Sequence, residues 1–444
     1  MSHTITSDSR NLHKENKRHL GKLRGAVSGN ASFLLIAAMF IMGSAVAVCF
    51  RLPIKSVMQH YSYDVLVILI SMELFTNLIT ETGVMQFLAI HIAELSKGRR
   101  RLCLVMFGGM MFLVSSFLNN ITAVMVILPI VFVLLRTLEV NKQYIYTFFA
   151  TILALSNTGG AASPVGDFPA IIIMTSGITT FLGYLTRAFP LFALTSAVLL
   201  FVWSSRVKKE QNDGAMRRYA VASLKSQYKN VTIRFDELKW LGFVFIGMFL
   251  AWSIVPQSVV PPEIIAVLGY VTAAVISSFK KVRVEQKMDL RSLLTIASFL
   301  FLAQVVSQTG VLDLAAAYLQ NSITDPKLLV LAVMVITSLV AGVFSAGPAA
   351  AAMLPIIVQL CNGPLNTQAD WIAIAYAASI CAGSSLFMWS ATAGFILSGK
   401  VNEAGIVEAG GDVVRWGVGQ YWKYGLINYA IQLSIALIAM AIIL

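Results

Sequence analysis

Charge is scarce in this chain. Asp, Glu, Lys and Arg make up only 12% of its 444 residues, against 57% hydrophobic residues. A soluble domain carries about twice that charged share, so a soluble enzyme or binding module is excluded and a polytopic membrane protein is left. Period-two alternation is also missing, which excludes a transmembrane barrel and leaves helices. The histidines (His3, His13, His19, His60, His91) have no metal-ligand spacing. The cysteines (Cys49, Cys103, Cys361, Cys381) form no CxxC pair and read as small apolar residues. No histidine stands in a span to activate a serine of Gly383-Ser384-Ser385, which argues against an intramembrane hydrolase. GFILSGKV at 394–401 misses the phosphate-loop pattern at its last position and lacks the strand-then-helix setting. No catalytic residue, no cofactor and no metal beyond a sodium ion are therefore expected. The first thirty residues lack the apolar core and cleavage site of a secretory signal.

The charge that is present has a pattern. The formal balance is +12, yet its placement speaks against nucleic acid as a partner. Arg10, Lys14, Lys17, Arg18, Lys22 and Arg24 precede the first apolar run, and Lys97 with Arg99, Arg100 and Arg101 fills one short loop. Further groups lie between 206 and 239 and between 280 and 291. Placing these loops in the cytoplasm, with Arg136, Lys142, Lys400, Arg415 and Lys423, leaves only Arg51, Lys55, Arg187 and Lys327 outside, as the positive-inside rule requires. The chain is expected in the plasma (inner) membrane, multi-pass, with its N-terminus cytoplasmic.

The organising stretch is FLNNITAVMVILP at 117–129, which sets Asn119, Asn120 and Thr122 inside a long apolar run. Unpaired polar groups are costly in hydrocarbon. The flanks 103–117 and 123–136 are each about 20 Å long as helices, short of the roughly 30 Å core. Two short arms meeting at a polar tip describe a re-entrant hairpin, 103–136. VFSAGPAAAAMLP at 343–355 replays it within a second hairpin, 328–360. Thr-Gly-Val precedes each tip, at Thr82 and at Thr309, and Leu-Pro-Ile follows each, at Leu128 and at Leu354. Two apolar runs are broken by glycine and proline, at 156–169 and at 382–394; backbone of that kind at membrane depth must line protein or a cavity.

The expected fold class is thus an all-α polytopic membrane protein with two inverted repeats. It has about nine transmembrane helices, two re-entrant hairpins and two broken helices. A basic cytoplasmic segment, 1–30, leads into a first repeat at 31–205, a cytoplasmic linker at 206–239 with no core of its own, and a second repeat at 240–444. Inverted repeats with discontinuous helices put a binding site near the midplane.

At these residues the chain resembles the ion transporter superfamily, in the branch of arsenite permeases, D-type sodium/proton antiporters and the P protein. Citrate and sodium/dicarboxylate transporters are more distant. Phe117-Leu118-Asn119-Asn120-Ile121-Thr122 is similar to that branch's first tip, usually Phe-Leu-Asp-Asn followed by Val-Thr. Gly159-Gly160 through Gly166-Asp167-Phe168-Pro169 resembles its first broken helix, and Ser390-Ala391-Thr392-Ala393-Gly394 its second. The resemblance spans most of 64–444 and implies secondary transport. It departs at Asn119, where aspartate is usual, at Ser345-Ala346-Gly347-Pro348, which replaces a polar tip, and at Gly394, where asparagine is usual. An antiporter that trades sodium for protons through those aspartates would have lost two of them.

The substrate-binding residues expected are Asn119, Asn120, Thr122, Asn157, Thr158, Gly159 and Gly160 in the first half. Ser345, Ser384, Ser385, Ser390 and Thr392 are expected in the second. Amides and half-helix N-termini suit an anion, and exposed carbonyls suit a small cation. For the glycines and serines the competing reading is close helix packing, and for the first tip it is self-capping. Asp167, Glu73, Asn120 and Gly347 are the ion-coupling candidates, because an acid at membrane depth is functional by default; a helix cap competes for Asp167 and a structural hydrogen bond for Glu73. The function expected is ion-coupled secondary active transport of a small anion or oxyanion by alternating access, with Na+ or H+ as coupling ion. The alternative is a sodium/proton antiporter. A channel fits less well, since broken helices on both sides of one midplane site suit alternating access. Partners are the lipid bilayer and the small-ion substrate, with a homodimer as the assembly to test.

Overall fold

A computed structural model describes residues 34, 36–208, 214–228, 232–279, 290–362 and 368–444. The basic segment 1–30 and the group Lys280, Lys281, Arg283 and Lys287 lie outside the described residues. No strand occurs among the described residues; one isolated bridge joins Val407 to Val413. In chain order the helices begin with α1 (Ile36–Cys49), α2 (Ile54–Gln59), α3 (Tyr63–Glu81) and α4 (Val84–Ser96). The first hairpin is α5 (Arg100–Ser115) with α6 (Asn120–Thr137), and the first broken helix is α7 (Lys142–Ala162) with α8 (Phe168–Thr175). Next come α9 (Phe181–Arg206), α10 (Gly214–Gln227), α11 (Phe235–Ile254), α12 (Pro262–Phe279), α13 (Leu290–Gln308) and α14 (Val311–Ser322). The second hairpin is α15 (Pro326–Phe344) with α16 (Ala346–Asn362), the second broken helix α17 (Ala369–Ser384) with α18 (Gly394–Ala404), and α19 (Val418–Ile443) closes the chain.

The succession of span, short surface helix, hairpin, broken helix and span therefore occurs twice, as α3–α9 and as α13–α19. The crossings are α1, α3, α9, α11, α12, α13, α19 and the pairs α7–α8 and α17–α18. Among the described residues, 7 helices are long and apolar enough to cross a membrane, and two of them, α6 and α15, are hairpin arms.

The arms run longer than their sequence suggests. Asn119 ends the first tip by accepting a hydrogen bond from the Ile121 N–H at 2.9 Å, so the helix begins at Asn120 and carries Thr122 in its first turn. Pro129 and Pro355 stand at matching places inside the second arms.

The breaks are shorter than the sequence suggests. Only 163–167 and 385–393 leave the helix; Ser156–Gly160 and the residues up to Ala162 stay within α7. Glycine costs about 1 kcal/mol in a helix. Here close approach outweighs that cost: a Cβ on Gly160 would lie 2.6 Å from Asn120 Nδ2 and 2.8 Å from Asp167 Cβ.

The chain divides into two compact units. The described residues of Met1–Tyr61 and Asp289–Val311 form the smaller. Its core joins Ala47, Val57 and Val305, Phe40 packs on Phe301, and the Tyr61 hydroxyl donates to the Ala297 carbonyl at 2.9 Å. The larger unit, the described residues of Ser62–Met288 and Leu312–Leu444, holds every element discussed below.

Within the larger unit the first hairpin tip is anchored by Phe117, whose ring lies 5.8 Å from Phe249, 6.2 Å from Phe245 and 6.4 Å from Phe189. Beyond its tip the second hairpin opens on alanines, with Ala346, Ala349, Ala350 and Ala351 all buried. The linker helix α10 buries Ala220 and Leu224 and packs beside α4 and α6; Lys225 pairs with Glu94 at 2.9 Å.

Candidate functional site

Both broken helices deliver their ends to one buried place. Asp167 closes the first break and caps α8, its Oδ1 accepting the Phe168 N–H at 2.9 Å. Its Oδ2 accepts two further bonds: from Asn120 Nδ2 on the first hairpin at 3.0 Å, and from Thr392 Oγ1 in the second break at 3.3 Å. Three donors thus converge on one carboxyl group.

Asn157 makes the second bridge between the repeats. Its Nδ2 donates to the Ser384 carbonyl and to Ser385 Oγ, both at 3.3 Å. A carbonyl only accepts, so the orientation of this amide is fixed by its partner. The same logic holds for Asn120 against the carboxylate.

In both amides the remaining oxygen has no partner among the described residues, although Asn120 is 1% and Asn157 4% exposed. Leaving a buried acceptor unpaired costs about 1–3 kcal/mol. The site thus offers a carboxylate and two spare amide oxygens. These are hard oxygen donors of the kind an alkali cation takes.

A narrow cleft with room for about one water molecule opens beside these groups. Its polar wall is Asn157, Asp167, Tyr184, Cys381 and Ser384. Its apolar wall is Ala161, Pro169, Ala170, Ala346, Ala377 and Ile380. No lysine, arginine or histidine lines it. Four helix ends sit here: α7 and α17 finish with carbonyls suited to a cation, while α8 and α16 begin with N–H groups suited to an anion.

The other residues singled out from sequence fall into two groups. Asn119 serves as a helix cap. Ser156 Oγ donates to the Leu153 carbonyl and Thr158 Oγ1 to the Leu155 carbonyl, and the Thr158 and Ser196 hydroxyls are hydrogen-bonded to each other. Gly159 admits the Phe112 backbone, so this glycine packs helices. Ser390 Oγ bonds within its own break, at 2.7 Å to the Phe387 carbonyl and 3.1 Å to the Ser384 carbonyl. Thr122 is half-buried on α6, and Glu73 is half-buried on α3, away from the cleft lining. Ser345 holds φ 93° between the second hairpin's arms, and a Cβ on Gly347 would lie 4.0 Å from Phe168 Cδ2. Asn120, Asn157, Gly160, Asp167, Ser384, Ser385 and Thr392 are therefore predicted residues brought together. Among the described residues no cluster of three or more His, Cys, Asp or Glu could hold a metal.

Sequence reasoning missed Tyr184, whose hydroxyl donates to the Ala161 carbonyl at 2.8 Å, and Cys381, read only as a small apolar residue. It also missed Tyr421 and Gln432 on α19, which bond to Ser385. Gln432 carried the signal that exposed Asn120: an amide inside an apolar run.

Compared with known proteins, residues 27–380 match the family described as citrate transporter. The chain is 25% identical to an uncharacterized transporter of Mycobacterium tuberculosis over 92% of this chain and 95% of that protein. It is 26% identical to the P protein of Sus scrofa over 38% of this chain and 19% of that protein. Among solved structures it is similar to the YdaH transporter of Alcanivorax borkumensis, described as having an unusual topology. The TM-score is 0.54, with 14% identity over 93% of this chain and 97% of that one.

Proposed function

Because the chain belongs to the citrate transporter family of the ion transporter superfamily, we propose that it is a secondary active transporter in which a cation held at Asp167 is coupled to movement of a small anion. One observation carries this reading: the half-buried Asp167 carboxylate and the spare oxygens of the buried Asn120 and Asn157, gathered where both repeats meet. A cation bound there satisfies the unpaired acceptors and balances the buried charge. It also supplies the positive charge an anion needs in a cleft with no basic side chain. The N-termini of α8 and α16 assist the anion, as half-helices do in inverted-repeat carriers. Alternating access follows from a site built by both repeats, since rocking one against the other exposes it to each side in turn. The N-terminus and the 206–239 linker are placed in the cytoplasm by their basic residues.

A second reading, cation/proton exchange, is favoured by Asp167 being the sole charged residue of the cleft lining. Purified protein in liposomes separates the two. With a sodium gradient and a panel of small carboxylates and oxyanions, saturable gradient-driven anion uptake is expected. Sodium-driven proton release with no anion uptake would replace the first reading by the second.

A further inference from the structure

We propose that Gln432, on the last helix, is a positioning residue for the cation site, acting through Ser385 on Asn157. The inference rests on the coupling-cation reading above. Gln432 is 3% exposed and sits on α19, one turn beyond the buried Asn428. Its Nε2 donates to Ser385 Oγ at 2.9 Å, and its Oε1 lies 3.4 Å from Cys381 Sγ. Residues of three elements, α7, α17 and α19, thus converge on one serine hydroxyl.

The hydroxyl's capacity explains why Gln432 matters. A serine oxygen accepts two hydrogen bonds and donates one. Ser385 Oγ accepts from Gln432 Nε2 and from Asn157 Nδ2 at 3.3 Å, and its proton has two acceptors in reach, the Cys381 carbonyl at 3.1 Å and Gln432 Oε1 at 3.3 Å. With Gln432 in place, both lone pairs are committed to amide donors and the proton is directed away from Asn157, onto α17 or Gln432 itself. Asn157 then meets an acceptor and keeps its NH2 toward the second break, which leaves its Oδ1 as the spare oxygen. Without Gln432 the hydroxyl can rotate and present its proton toward Asn157. The amide then loses one of the two acceptors that set its orientation.

The backbone of the same serine is held as well. Tyr421 OH donates to the Ser385 carbonyl at 2.8 Å, so α19 fixes Ser385 at two points along its length. The last helix, which contributes no residue to the cleft wall, thereby sets the geometry of a residue that does. Outer-shell partners of metal ligands behave in this way, and losing one costs about 10–100-fold in affinity.

The test uses the full-length protein purified in detergent, with sodium chloride titrated against choline chloride at constant ionic strength. Thermal stabilisation reports cation binding. The parent is expected to be stabilised by sodium. Gln432→Met, which keeps the side chain's length and removes both polar atoms, is expected to move the sodium midpoint up by about tenfold while its melting temperature in choline stays close to the parent's. Ser385→Ala is expected to shift the midpoint similarly, and the double variant no further, because coupled residues are not additive. Ser385→Thr, which restores a hydroxyl, is expected to recover the parental midpoint. A Gln432→Met protein that melts lower in choline but keeps the parental midpoint has lost only packing and overturns the inference. Additive shifts in the double variant overturn it too. A parent that sodium, lithium and potassium all fail to stabilise overturns the cation site itself, and this inference with it.

Discussion

The two hairpins share a plan and differ at their tips. The first carries Asn119 and Asn120, is capped by the former, and is pinned by Phe117 among aromatic rings. The second has Ser345 in a backbone region that favours glycine, then alanine, glycine and proline. Its flanking Val343 and Phe344 are 58% and 61% exposed. In each half the broken helix reaches the neighbouring tip: Ser163 Oγ donates to the Ser116 carbonyl, and Trp389 Nε1 to the Val343 carbonyl at 3.2 Å. Only the first tip, however, bonds to the carboxylate. The repeat supplies two equivalent frames, and one of them places an amide on Asp167.

The largest effect should come from breaking that chemistry. Asp167→Asn and Asn120→Ala should each lower cation-dependent uptake on the order of a hundredfold, since each leaves a buried polar partner unpaired. Ser345→Ala should leave it near the parental rate, with membrane levels compared by blotting. Equal losses at Asn120 and Ser345 would erase the asymmetry.

Next come the glycines. Gly160→Ala forces a methyl group against Asn120 and Asp167 and should cut uptake by about tenfold, as small misplacements at a site do. Gly347→Ala meets nothing nearer than Phe168 at 4.0 Å and should be tolerated.

Stability should follow the same order. Phe117→Ala should lower thermal stability in detergent by about 2 kcal/mol through lost aromatic packing, and Phe344→Ala by less than about 0.5 kcal/mol. The smallest change expected is a gain: Ser345→Gly should relieve about 1 kcal/mol of backbone strain and raise the melting temperature slightly.

Much of this was legible before any coordinates. Composition excludes everything but a helical membrane protein, and the repeated brackets Thr-Gly-Val and Leu-Pro-Ile place both hairpins. Asn120, Asn157 and Asp167 stand out because polar groups in apolar runs must be satisfied. The extent of the breaks was not legible. Ser156–Gly160 has a breaker's composition, but its glycines serve close packing inside α7, a tertiary fact that no local propensity contains. Ser390 has the composition of a ligand, and its hydroxyl bonds to the Phe387 carbonyl of its own break and the Ser384 carbonyl at the end of α17. Cys381 and Ala346 reach the cleft through helix placement alone. Gln432 was within reach, since an amide in the last span is as costly there as in the first hairpin.

The alanines that open α16 have a mechanical consequence. Ala346, Ala349, Ala350 and Ala351 are buried, and α16 packs beside α8 and α17. Alanine has no side-chain torsion to freeze or release. A longer side chain would have to unlock from one groove and relock in the next whenever the helix shifted along its neighbours. A methyl face has no such catches, so friction against displacement along the helix axis is low, and the second arm of this hairpin has the surface of a bearing.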